Sequence, residues 1–181
     1  MASRPDITSV TNTASGRSIV LVGMMGVGKS TIGKLLAGKL GLDFVDSDEQ
    51  IEAAAGMPIS EIFDRFGESG FRDGERRVIA RLIGEGPKVI ATGGGAFIND
   101  ETRALIKEQC TSVWIDADLD VLVERVSRRN NRPLLVGRNP REVLTELAAK
   151  RTPCYSQADI HVRSDSGPHS RTVGQILEAL A

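Results

Sequence analysis

Eight residues, Gly23-Met-Met-Gly-Val-Gly-Lys29-Ser30, satisfy the spacing G-x-x-x-x-G-K-[ST]. That spacing is built to hold a chain of phosphates. Glycines adopt dihedrals closed to other residues and let the backbone approach an anion closely. Backbone N–H groups at a helix start then face the negative charge. Lys29 adds a point charge for the β- and γ-phosphates, and Ser30 offers a hydroxyl to Mg²⁺. The expected ATP contacts are Gly26, Val27, Gly28, Lys29, Ser30 and Thr31. A glycine-rich turn that carries Lys and Ser by coincidence would not also need a strand before it and a helix after it. The motif indicates a nucleoside triphosphate and is silent about the acceptor.

The acceptor must be argued from the rest of the chain. Asp46-Ser-Asp48 follows a second apolar run, and Phe71-Arg72 precedes Glu75 by one helical turn. Thr92-Gly-Gly-Gly95, Arg132-Pro-Leu-Leu135, and Arg151 four residues before Tyr155 complete the set. Any one of these is weak, and a lone arginine is as readily a solvated helix charge. Their order from about Ser18 to Leu180 resembles the shikimate kinase family, within the nucleoside-monophosphate-kinase-like group.

The resemblance implies an acceptor with one carboxylate and three ring hydroxyls. Arg72 and Arg151 resemble the family's carboxylate-binding arginines, and a planar guanidinium meets a carboxylate with two parallel hydrogen bonds. Glu75 shares a helix face with Arg72 and either holds it in position or forms a weak surface ion pair. Asp48 resembles the family's hydroxyl-binding aspartate. As an ordinary aspartate it is a weak base, so it either takes the proton late or mainly orients the hydroxyl. Asp46 lies on the same strand face if the strand extends to Asp48. It resembles the family's Mg²⁺-associated carboxylate, acting through water. Gly94 and Gly95 are the expected substrate contacts in a glycine turn that replaces the usual aspartate-tipped strand.

Transfer to a hydroxyl competes with transfer to water, and a closing lid excludes water. The loop Asn130 to Pro140, within a lid of about 125–140, suits that task. Arg132 resembles the lid arginine that stabilises charge on the transferring phosphoryl group, and so counts as catalytic with Lys29 and Asp48. Arg138 has no assignment. Arg125 falls where the family has an arginine that stacks on adenine, and Pro168 lies in a segment that resembles the adenine-side loop. His161 and His169 fit no catalytic constellation and read as packing or exposed residues. Between Tyr155 and Ala158-Asp159 the chain departs from many relatives, lacking an acidic residue and one position.

These residues need a scaffold of alternating strands and helices. The apolar runs Ser18 to Gly23, Leu42 to Asp48, Lys88 to Gly95, Ser112 to Ala117 and the segment ADIHV read as buried parallel strands. Helical patterns follow the phosphate motif and cover about Glu49 to Ala55, Pro58 to Phe66, Phe71 to Gly84, Leu119 to Arg129, Arg141 to Lys150 and Thr172 to Leu180. The alternation predicts a three-layer α/β domain over 17–181. The family resemblance implies a five-stranded parallel sheet of order 2-3-1-4-5. Residues 1–16 are polar and read as a flexible arm without the apolar region of a signal peptide.

Composition sets bounds on partners. The chain has 181 residues and a formal net charge of -1, so nothing argues for a general nucleic-acid or membrane surface. The two cysteines, Cys110 and Cys154, form no metal or CxxC pattern and read as reduced thiols. The reading is a cytoplasmic kinase that uses ATP and Mg²⁺, monomeric by family resemblance. It would phosphorylate the 3-hydroxyl of shikimate on the chorismate route to aromatic amino acids. A gluconate kinase, with another anionic polyol acceptor, stays open. So does a non-catalytic nucleotide-binding regulator, although such a protein should have lost some working residues.

Overall fold

The computed structural model describes residues 16–128, 135 and 137–181. The expected arm and the core of the expected lid, including Arg132, lie outside the described residues. Five parallel strands form one sheet: β1 (Ile19–Val22), β2 (Asp43–Asp46), β3 (Lys88–Ala91), β4 (Thr111–Ala117) and β5 (Ile160–Ser164). Their order is β2-β3-β1-β4-β5. All four residues of β1 are buried, as expected for a central strand covered on both faces. Leu21 pairs with Ala91 on one side and Val113 on the other.

Seven helices surround the sheet among the described residues: α1 (Lys29–Leu40), α2 (Ser47–Ala55), α3 (Ile59–Gly84), α4 (Asp100–Gln109), α5 (Leu119–Ser127), α6 (Pro140–Tyr155) and α7 (His169–Leu180). Helix α1 packs over β1 and β3 and against α7, which covers β5, while α4 packs on β4. None of these helices is long and apolar enough to cross a membrane.

Four local readings of the sequence differ from the structure, the last of them in α6. The second strand ends at Asp46, not Asp48. The Asp46 carboxylate accepts the backbone N–H groups of Asp48 (2.9 Å) and Glu49 (3.4 Å), capping α2 and forcing the chain to turn. Asp46 and Asp48 therefore sit at a strand end and in a helix first turn, not on one strand face. Secondly, the short and long helices expected around 58–84 run together, separated only by Gly67 at φ 69°, ψ −178°. That combination is open essentially to glycine alone. Thirdly, α4 and the 3₁₀ turn Ala96–Ile98 have no counterpart in the sequence reading. Helix α4 is capped by Asn99, whose side chain accepts from the Thr102 N–H at 3.1 Å.

Helix α6 extends to Tyr155, beyond the expected Lys150, despite Pro153. Proline removes one intrahelical donor in the last turn without ending the helix. The extension matters because it places Arg151 and Tyr155 one turn apart on a single rigid element.

Candidate active site

The central position of β1 makes its C-terminal end the point where the strand order reverses, and ligands of open α/β sheets bind there. The chain leaves β1 through Gly23, Gly26 and Gly28, all at positive φ. Helix α1 then begins with no side-chain cap and no acidic residue in its first turn. Its first N–H groups stay open to a phosphate, and the helix dipole adds to the attraction. Lys29 Nζ donates to the carbonyls of Gly23 (2.7 Å) and Met24 (3.0 Å), so its charge is held over the loop.

A cavity of about 510 Å³ opens above this loop. Gly26, Gly28, Lys29, Ser30, Thr31, Asp46, Asp48, Gly93, Gly94 and Arg125 line it, together with His169. Val27, also expected to touch ATP, is buried and lies outside the cavity lining. Ser30 Oγ donates to Asp46 Oδ2 at 2.9 Å, bringing a hydroxyl and a carboxylate together beside the expected phosphates. Hard oxygen donors of this kind suit Mg²⁺, which binds few protein ligands and fills its shell with water and phosphate oxygens. Among the described residues no group of three or more His, Cys, Asp or Glu is placed to hold a metal alone. Ser30 and Asp46 thus fit a cation that arrives with the nucleotide.

Asp48 lines this cavity beside Gly93. Burial raises its carboxyl above the usual aspartate value, and the Asp46 charge adds to that, while Lys29 and Arg72 pull the other way. The carboxylate is therefore a better proton acceptor than an exposed aspartate.

The second cavity, about 410 Å³, contains Arg72, Gly95, Ile98, Leu147, Lys150 and Arg151 in its wall. Two guanidinium groups from different helices converge on this space, whose wall also carries Glu68, Ser69, Asp73 and Asn99, and the arginine pair suits a small carboxylate. Arg72 Nη1 donates to Glu75 Oε1 at 2.9 Å. Glu75 is fully buried, so the pair is not the weak surface contact that spacing left open. Burial pushes the Glu75 carboxyl up, against the pull of Arg72.

The glycine turn explains how these charges come so close. A Cβ at Gly93 would lie 2.8 Å from Asp48 Oδ1, and one at Gly94 2.6 Å from Arg151 Nη1. A Cβ at Gly95 would fall within the Arg72 guanidinium. Each of the three glycines thus makes room for a different charged side chain.

At the nucleotide end, Arg125 donates to the carbonyls of Gly26 (3.2 Å), Val27 (3.1 Å) and Asp165 (2.8 Å). It ties α5 to the phosphate loop and to the β5–α7 connection. Pro168 is the N-cap residue of α7 and lies outside the cavity lining; the next residue, His169, is part of it. The sequence reading ended the adenine-side segment, Ser164 to His169, on this histidine and read it as packing or exposed, without a place in the site. Its imidazole packs on Gly28, and burial and Arg125 both lower its pKa, which favours the neutral ring. Only the position at a helix start beside the expected adenine loop signalled it. Arg138 instead pairs with Glu146 of α6 at 3.1 Å on the surface.

Comparison with known proteins bears on this geometry. A sequence model of the family described as shikimate kinase matches residues 25–181. A shikimate kinase of Caulobacter vibrioides (strain NA1000 / CB15N) is 59% identical over 164 residues, which is 91% of this chain and 82% of that protein. The structure of shikimate kinase from Acinetobacter baumannii in complex with shikimate superposes with a TM-score of 0.86 at 35% identity, covering 93% of this chain and 95% of the other. A gluconokinase from Sinorhizobium meliloti 1021 reaches a TM-score of 0.63 at 21% identity, over 91% of each chain, and shares the fold alone. The chain belongs to the shikimate kinase family.

Proposed function

We propose that this protein transfers the γ-phosphoryl group of ATP to the 3-hydroxyl of shikimate, giving shikimate 3-phosphate and ADP. The observation that carries this reading is the convergence of Arg72 and Arg151 on one cavity, linked by the glycine turn Gly93–Gly95 to Asp48 in the cavity of the phosphate loop. The arginines hold the acceptor carboxylate. Gly94 and Gly95 let the ring lie against backbone. Asp48 accepts a hydrogen bond from the attacking hydroxyl and takes its proton as the new P–O bond forms. The bond to the bridging oxygen breaks, and that oxygen leaves with ADP.

Lys29 and the open N-terminus of α1 hold the phosphates in line. Mg²⁺, held beside Ser30 and Asp46, would neutralise charge on the β- and γ-phosphates. Arg132 is assigned by resemblance to the charge of the transition state, with Arg125 and the Pro168 region at the adenine end. Positioning and charge supply most of the acceleration, because this transition state asks little covalent chemistry of the protein. The protein works as a cytoplasmic monomer on the chorismate route.

The test is ADP release with Mg-ATP and shikimate, gluconate or no acceptor. Turnover with shikimate alone is expected. Turnover with gluconate instead would keep the kinase and replace the acceptor. ATP binding without acceptor-dependent turnover would favour the regulator.

A further inference from the structure

Tyr155 is the only tyrosine of the chain, and it is 1% exposed. It sits one turn after Arg151 on α6, on the inward stripe that also carries Leu144. A phenol buried this deeply needs a partner for its hydroxyl. Tyr155 Oη donates to the carbonyl oxygen of Gly94 at 2.5 Å. The Arg151 guanidinium lies against the same turn, since a Cβ at Gly94 would come within 2.6 Å of its Nη1. The ring is held from behind by Trp114 of β4, with centroids 5.9 Å apart, and Trp114 is stacked at 4.0 Å on His161 of β5. The hydroxyl therefore stands where Gly94, which lines the phosphate-side cavity, meets Arg151, which lines the acceptor cavity.

We propose that Tyr155 is a positioning residue for the acceptor. Its hydroxyl holds the Gly94 carbonyl in place beside the Arg151 guanidinium, so that the glycine turn and the carboxylate-binding arginine keep their spacing before substrate arrives. This rests on the proposed acceptor. Left without the phenol, the guanidinium would sample other rotamers, and binding would have to order it. The Gly94 carbonyl would also lose a buried donor.

Tyr155→Phe keeps the ring and removes the hydroxyl. The expected result is a rise of about tenfold in the shikimate KM, with kcat and the ATP KM within about twofold of the parent. General loosening of the fold would move all three together. In an Arg151→Ala background the same change should add little, because the group being positioned is gone. A measurement on the parent guards against a variant that fails to fold. With tyrosine labelled at the ζ-carbon, the protein gives one ¹³C signal. Shikimate should shift it, and a non-hydrolysable ATP analogue alone should not. No shikimate turnover in the parent overturns the acceptor reading and this inference with it. Turnover in the parent with an unchanged shikimate KM in Tyr155→Phe overturns the inference alone, as does a tyrosine signal indifferent to saturating shikimate.

Discussion

Asp48 owes its chemistry to where the chain puts it. Burial and the neighbouring Asp46 raise its pKa, so the acid limb of kcat/KM for shikimate should lie above the titration of a free aspartate. Asp48→Asn should lower kcat by about 10²–10⁴-fold and abolish that limb, which a pH–rate profile would show. Arg72 and Glu75 give a second test. Arg72→Ala leaves a buried carboxyl without its cation, a loss of roughly 3–5 kcal/mol where the carboxyl is charged. The folded protein holds this carboxyl above its ordinary value. Its contribution thus favours folding below that ordinary value and is lost as pH rises through the folded one. Urea unfolding between about pH 4 and 8 should show the deficit of Arg72→Ala growing with pH.

At this scale the sequence was most informative where chemistry dictates type and spacing. The phosphate loop could be read from type and spacing alone, whereas the two aspartates and the two arginines needed the order of the whole set, because each alone is as readily a strand end or a solvated helix charge. Glu75 could be placed on a helix face but not in the interior, since burial depends on what packs above that face. A packing role for His169 could be read, but not its partner, because Gly28 is far away in sequence. Tyr155 was visible only as part of a motif, because its hydroxyl acts across 61 residues on the Gly94 carbonyl.

Among the elements, β1, β3 and β4 were legible from continuous apolar runs, since a strand covered on both faces has no polar alternation to lose. The end of β2 was not. A carboxylate two residues before Asp48 can extend a strand or cap a helix, and the capping bonds decide. Helix α4 went unread because its first turn is charged and its buried residues are few, Thr102 and Ile106 among them. The break inside α3 depends on Gly67. Nothing lies within 4 Å of the place a Cβ would take there, so the penalty of Gly67→Ala is conformational. It should destabilise the protein by about 1–3 kcal/mol in chemical denaturation. Gly94→Ala should behave in the opposite way. Its Cβ meets the flexible end of Arg151, so the fold should tolerate it while the shikimate KM rises well above that of the parent.

Across the whole molecule, the sheet buries one cysteine and leaves the other within reach. Cys110 closes α4 beneath β4, and burial pushes its thiol up to about 11. Cys154 is only half-buried. A disulfide reagent at neutral pH should titrate one thiol in the folded protein and two after unfolding. The overall architecture followed from alternation and the phosphate motif. The strand order needed the family resemblance, because local patterns do not say which strands are neighbours.

The three glycines after β3 also constrain how this protein can change its taste in acceptors. Any substitution at Gly93, Gly94 or Gly95 collides first with Asp48, Arg151 or Arg72, and only then alters the pocket. The order of steps is therefore fixed. A lineage, or a designed library, must shorten or move the charged partner before the glycine opposite it can vary. Each such first step gives up affinity for the present acceptor before any affinity for a new one appears. Libraries randomised at the glycines alone should yield almost only inactive members, whereas paired codons at 72 with 95, or 151 with 94, open the one route that avoids the collision.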